Sequence, residues 1–284
     1  MAQVMTDTWE LRRERTAVLR DRYPFAAEML DLHAALLPVQ EAAFLDAVTS
    51  LPAPQRIATY VADEVAPGVV EVTMASGPEQ LRVAMAERLA AAGPKAMVAG
   101  WMRGDGQYAA DRYVARAALS PVLEAMGELA APAFEGPRDL RHCPSCGGPP
   151  QLSYFAVAAE DLAGGSRRLV CARCHADWGY PRMTCAACGE ESGPRLPIYG
   201  EVGTAAGERG GIVRGLGPAT PASGAVFPHV RVEACDACSR YLLNIDLALD
   251  PRAVPLVDEL SALPLDLYAR DLGFTKITPN LMGF

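Results

Sequence analysis

Cys143-Pro-Ser-Cys146-Gly147, Cys171-Ala-Arg-Cys174-His175, Cys185-Ala-Ala-Cys188-Gly189 and Cys235-Asp-Ala-Cys238-Ser239 decide how this chain is read. All eight cysteines fall into these four C-x-x-C pairs. Chance scatter would not pair every cysteine at one spacing. A tetrahedral centre with Zn–S bonds of about 2.3 Å needs sulfurs roughly 3.8 Å apart, and a tight two-residue turn presents two thiolates at that separation. The pairs therefore supply two complete four-thiolate sites. Glycine follows the second cysteine in the first and third pairs, where it permits a positive φ that turns backbone N–H groups towards the sulfurs. The second and fourth pairs lack it. Glycine knuckle, plain knuckle, glycine knuckle, plain knuckle is the order of a ribbon repeated twice. It assigns Cys143, Cys146, Cys171 and Cys174 to one metal ion and Cys185, Cys188, Cys235 and Cys238 to a second. Pairing across the halves would need interleaved strands.

Soft thiolates accept zinc, which is structural and redox-silent, or iron, which is rubredoxin-like and redox-active. The sequence leaves that choice open. Paired knuckles on hairpins suit a mononuclear site better than an iron–sulfur cluster. A thioredoxin-like site would need a C-x-x-C at a helix start within a βαβ pattern, and none is seen. The start passes from Met1 directly to Leu11-Arg-Arg-Glu-Arg15 with no apolar signal region, so the expectation is a cytoplasmic protein whose thiols stay reduced. His142 and His175 adjoin the cysteines, but two full quartets make them unnecessary as ligands. Four thiolates around a dication leave a dianionic site, and Arg173, Arg182 and Arg240 lie close enough in sequence to offset it. His33 and His229 have no partner visible in the sequence.

The chain has 284 residues, half of them apolar and 21% charged, which suits about two domains and excludes wholesale disorder. Lys and Arg total 26 against 34 Asp and Glu, a net charge of −8. That argues against a general nucleic-acid binder or a polybasic membrane binder, which need a cationic face. The ribbon region is near neutral, and the only lysines are Lys95 and Lys276. No apolar run is long enough for a bilayer span, so no membrane insertion is expected. There is no nucleophile with its base, no phosphate loop and no H-E-x-x-H, and the glycines between Gly200 and Gly217 make no dinucleotide fingerprint. The chain is therefore not expected to be an enzyme.

The first 140 residues lack cysteine and read as helical. Pro24 begins a helix carrying Met29, Leu32 and Leu36, which Pro38 should kink or end. Ser76-Gly77-Pro78-Glu79 starts another that stops at Gly93-Pro94, and Ala109 to Leu129 forms a third, interrupted or kinked at Pro121. The apolar stripes serve core packing. Strands are expected at Leu152–Val157, Arg167–Val170, Trp178–Met183, Leu196–Tyr199, His229–Glu233 and Tyr241–Asp246. Gly200 to Pro228 reads as a loop, and one or two helices after Asp250 are interrupted by Pro255 and Pro264. The fold class is α+β: a helical N-terminal domain (1–140), two tandem rubredoxin-like, zinc-ribbon β modules (141–184 and 185–248) and a C-terminal helical segment (249–284).

The knuckles and their flanks resemble the FdhE family of formate dehydrogenase accessory proteins. The matching stretches are Cys143-Pro-Ser-Cys146-Gly147, Cys171-Ala-Arg-Cys174, Trp178 and Arg182 before Cys185-Ala-Ala-Cys188, Glu233-Ala-Cys235-Asp-Ala-Cys238 leading to Tyr241-Leu242, and Val257-Asp-Glu-Leu260. They cover about residues 140–275. The resemblance implies a cytoplasmic accessory factor that contacts the catalytic subunit of a molybdenum- or tungsten-containing formate dehydrogenase before export and makes it active. It also implies a helical domain followed by two rubredoxin-like ribbons. The long glycine-rich segment from Gly200 to about Pro228 departs from the family pattern. A cleft between the helical domain and the ribbons is the expected client surface, with Trp178 and Tyr241 as contacts or as packing on their own knuckles. Homo-oligomerisation is left open. The alternative readings are a thiol- or iron-based redox protein and a nucleic-acid-binding zinc ribbon.

Overall fold

The apolar stripes of the first half fold into helices that bury them. The computed structural model describes residues 2–157, 165–202, 211–215 and 225–284, with the side chains of 2–6, 202, 211 and 213–215 left aside. The helices are α1 (Ala2–Arg22), α2 (Ala27–Ser50), α3 (Ile57–Tyr60), α4 (Ala66–Ser76), α5 (Glu79–Ala91), α6 (Gly93–Arg103) and α7 (Ala109–Met126). The chain divides into two compact units. The first comprises Met1–Gly148, Ala172–Ala176 and Leu281–Gly283, and the second Pro149–Cys171, Asp177–Asn280 and Phe284.

In the first unit α7 is buried on nearly every side, from Ala110 to Leu123, as befits a helix at a core's centre. Gln40 of α2 donates to the Ala117 carbonyl of α7 at 3.0 Å, and Thr73 of α4 meets the Tyr113 hydroxyl at 2.7 Å. Trp9 of α1 packs edge-on against Phe44 of α2, with ring centroids 5.8 Å apart. The expected helices are present, with corrections. Pro38 and Pro121 lie inside helices and end neither, because buried neighbours on both sides (Leu36, Leu37, Gln40 and Ala43; Leu119, Ser120, Val122 and Leu123) hold the packing despite a missing N–H donor. Gly93-Pro94 ends α5 and also opens α6, since proline is tolerated in a first turn. Helix α1 escapes periodicity because Arg12, Arg15 and Thr16 are buried beside Trp9 and Leu19.

The second unit is a sheet. Its strands are β1 (Pro150–Phe155), β2 (Arg167–Cys171), β3 (Asp177–Gly179), β4 (Ile198–Val202), β5 (Gly211–Gly215), β6 (Val230–Cys235), β7 (Arg240–Asp246) and β8 (Thr275–Lys276). They lie in the order β3-β2-β1-β7-β6-β4-β5, and β8 also pairs with β7. Both ribbons are antiparallel within themselves, as expected. They fuse through a parallel pairing of β1 with β7, Ser153 opposite Asn244 and Tyr154 opposite Ile245. Polar side chains cross-tie this seam. Asn244 donates to the Ser153 hydroxyl (2.8 Å), Ser153 to Glu233 (2.9 Å) and Arg167 to Glu233 (2.6 Å). The helices α8 (Pro255–Ser261) and α9 (Leu263–Asp271) complete the α+β fold. Pro255 and Pro264 sit in their first turns, starting these helices where interruptions were expected. The stretch read as a loop from Gly200 holds the end of β4 and all of β5, which pair Tyr199 with Arg214 and Glu201 with Ile212. Residues 203–210 and 216–224 lie outside the described residues.

Candidate metal centres

Each knuckle is built by its backbone. Gly147 N–H donates to the Cys143 carbonyl (2.9 Å) and Gly189 N–H to that of Cys185 (3.0 Å), closing turns that need the positive φ of 65° at Gly147 and 82° at Gly189. A Cβ at Gly147 would also stand 3.1 Å from the Pro137 carbonyl oxygen. The two plain knuckles use the same turn without glycine. His175 and Ser239 adopt φ values of 58° and 54°, and Ser239 N–H donates to the Cys235 carbonyl at 2.9 Å. Glycine after the second cysteine was thus an incomplete signal, because all of these knuckles require the left-handed residue.

The structure brings the cysteines together in the two expected quartets. Within each of Cys143, Cys146, Cys171, Cys174 and Cys185, Cys188, Cys235, Cys238, the sulfurs lie within 4.8 Å of one another. Cys143 and Cys174 are 3.6 Å apart, Cys185 and Cys238 3.8 Å, and Cys188 and Cys235 3.7 Å. These separations match the roughly 3.8 Å edge of a tetrahedron with metal–sulfur bonds of about 2.3 Å. Each quartet could therefore hold one metal ion. A four-thiolate donor set suits zinc and iron alike.

The surroundings differ. Cys143, Cys146, Cys171 and Cys174 are all buried, whereas Cys188 is exposed and Cys238 half-buried. Around the first knuckles, Arg173 donates to the Cys146 carbonyl at 3.4 Å, and its guanidinium lies over the rings of Trp101 and Phe134. His175 bonds Glu124 of α7, which Arg12 of α1 also grips at 2.6 Å. Burial pulls the Glu124 carboxyl upwards, but the His175 hydrogen bond and the Arg12 charge outweigh it and hold it down at about 2. Burial lowers His175 against the pull of Glu124. Neither His142, bonded to Asp139, nor His175 belongs to a quartet.

In the second unit, a small cavity of about 40 Å³ borders Cys185 and is lined by Arg167, Arg182, Glu233, Arg240 and Tyr241 among others. Arg182 and Arg240 stand near the second centre, as their sequence positions suggested. Burial raises the Cys238 and Cys235 thiols. Tyr241 is buried in the core, with its hydroxyl donating to Asp266 at 2.8 Å. His229, read without a partner, is buried 2.8 Å from Asp258 of α8 and close to Asp250. No local spacing links residues 229 and 258. Trp178 is buried in β3.

Two quartets of C-x-x-C knuckles in a fold of helices and sheet define a zinc-ribbon-like, metal-binding class of protein. Residues 220–282 match the family described as FdhE, C-terminal domain. The protein FdhE homolog of Aquifex aeolicus is 29% identical over 167 residues, 58% of this chain and 50% of that protein. Its counterpart in Pseudomonas aeruginosa is 30% identical over 140 residues, 49% of this chain and 38% of that protein. The crystal structure of the FdhE protein from Pseudomonas aeruginosa shares the fold, with a TM-score of 0.61 at 22% identity over 97% of this chain and 95% of that one. The chain is thus similar to FdhE proteins in sequence over the matched stretches and in fold over nearly all of its length. Its matched stretch spans half or less of the length of these curated relatives.

Proposed function

We propose that this protein is a cytoplasmic accessory factor that binds the catalytic subunit of a formate dehydrogenase and makes it competent. The observation that carries this reading is the FdhE match, whose residues 220–282 include the Cys235/Cys238 knuckle and helices α8 and α9. The absence of a catalytic motif in the sequence suits protein recognition better than catalysis. The near-neutral ribbons favour it over nucleic-acid binding. Among the described residues no helix is long and apolar enough to cross a membrane. Deleting the gene should leave formate dehydrogenase protein present but largely inactive. Normal formate oxidation in such a strain, without a second copy of the factor, would end this reading.

The same proposal assigns one metal ion to Cys143, Cys146, Cys171 and Cys174 and one to Cys185, Cys188, Cys235 and Cys238. It retains the domain limits 1–140, 141–184, 185–248 and 249–284. A bound dication would cross-link each pair of knuckles, and iron there would add one-electron chemistry that zinc lacks. Protein purified anaerobically should carry two metals per chain. Ferric iron held by thiolates is coloured and zinc is not, so a visible spectrum of that sample identifies the ion. A folded, active protein with almost no metal would overturn the assignment.

A further inference from the structure

The two quartets share donors but not access. In the first, Cys143, Cys146, Cys171 and Cys174 are 0%, 1%, 0% and 5% exposed. Arg173, wedged against Trp101 and Phe134, and His175, tied to Glu124, pack beside those knuckles. In the second, Cys188 is exposed, Cys238 is half-buried, and Asp236, Ala237, Ser239 and Arg240 of the same turn are exposed as well. Replacing a thiolate on a metal ion requires an incoming ligand to reach it. A sealed quartet must open its surroundings first, at the cost of local unfolding, whereas an open one need not. Charge points the same way. Glu233 is paired with Arg167, whereas Arg182 and Arg240 donate to the backbone carbonyls of Gly165 and Lys276, with the Arg182 guanidinium also over the Phe155 ring. These two cations line the same cavity as Cys185 and partly offset both a dianionic four-thiolate site and the exposed Asp236 and Glu191 nearby, which eases the approach of an anion.

We infer that the second quartet is an exchange site, opened at Cys188 to an external anionic chelating ligand, while the first is a sealed structural site. This rests on the reading that both quartets hold metal. In the exchange, the Cys188 thiolate gives up its place to a donor of the incoming ligand and takes a proton from water, and no electrons are transferred.

The full-length protein carrying two zinc ions is challenged with excess EDTA under native, anaerobic conditions. Zinc per chain is followed with time, and aliquots are alkylated with iodoacetamide and mapped by mass spectrometry. One equivalent should leave at least tenfold faster than the other. Cys185, Cys188, Cys235 and Cys238 should be alkylated while Cys143, Cys146, Cys171 and Cys174 stay protected. Arg240→Glu should slow that fast phase several-fold with EDTA and leave it unchanged with neutral 2,2′-bipyridyl. Loss of both ions at one rate, or alkylation of the Cys143 quartet first, overturns the inference, and an unaltered EDTA rate in R240E overturns its electrostatic part. A starting protein that binds no zinc in either quartet instead overturns the metal reading beneath it.

Discussion

Ser239 holds the left-handed conformation that its knuckle needs, at φ 54°, with an exposed side chain. A side chain in this region costs roughly 1–2 kcal/mol, partly regained by glycine's greater unfolded-state entropy when glycine replaces it. Ser239→Gly should therefore raise stability by about 0.5–1 kcal/mol without changing metal content, as thermal unfolding of the metal-loaded protein would show. Gly147→Ala should do the reverse, because its φ is positive and its Cβ would press on the Pro137 carbonyl. His33 makes a pH-dependent contribution. Burial, helped by the Arg12 and His175 charges, lowers its imidazole from 6.5 to about 3. The unfolded chain then takes up the proton first as pH falls, so this stability is whole above about 6.5 and is lost on acidification towards about 3. The loss approaches about 1.4 kcal/mol per pH unit. His33→Leu should flatten that slope between pH 6 and 4 in denaturant titrations against the parent protein.

The short strand β8 does more for the second unit than its length suggests. Lys276 is 5% exposed, and its ammonium lies 2.7 Å from Glu259 of α8 and 2.9 Å from Asp266 of α9. Gln151 of β1 bonds the same Glu259, and Tyr241 of β7 the same Asp266. One lysine thus joins both C-terminal helices to the sheet. Opposite charge raises the Lys276 ammonium against its burial, and burial raises Glu259. Lys276→Met would strand two buried carboxylates and should cost about 3–5 kcal/mol. Adding Glu259→Gln and Asp266→Asn should restore part of it, and unfolding curves of the single and triple variants would show whether it does.

At the level of the entire chain, the centres anchor different parts. The second metal would clamp the β6–β7 hairpin, through Cys235 and Cys238, to the turn that precedes β4. The first would tie the segment before β1 to the turn after β2. Structural zinc sites supply on the order of 10 kcal/mol of folding free energy. Cys143→Ser should lower the melting temperature and client activation together. If the second centre serves exchange, Cys188→Ser should impair activation more than it impairs folding. Equal loss of both in each variant would mean that the two metals only hold the fold.

The quartets and the split between helices and ribbons could be read from residue order because both are written in short-range spacing. A C-x-x-C turn presents two sulfurs locally, and an apolar period marks a helix or a strand whatever it packs against. Much else was closed to such reading because it joins residues distant in the chain. Buried arginines concealed α1, and packing on both sides carried α2 and α7 through prolines that predict a break. The parallel β1–β7 seam that merges two ribbons into one sheet has no local mark, and neither have the His229–Asp258 and Lys276–Glu259 pairs. The unequal exposure of the two quartets is likewise set by what folds over Cys143 and leaves Cys188 bare, since burial is a property of neighbours in space and not of neighbours in sequence.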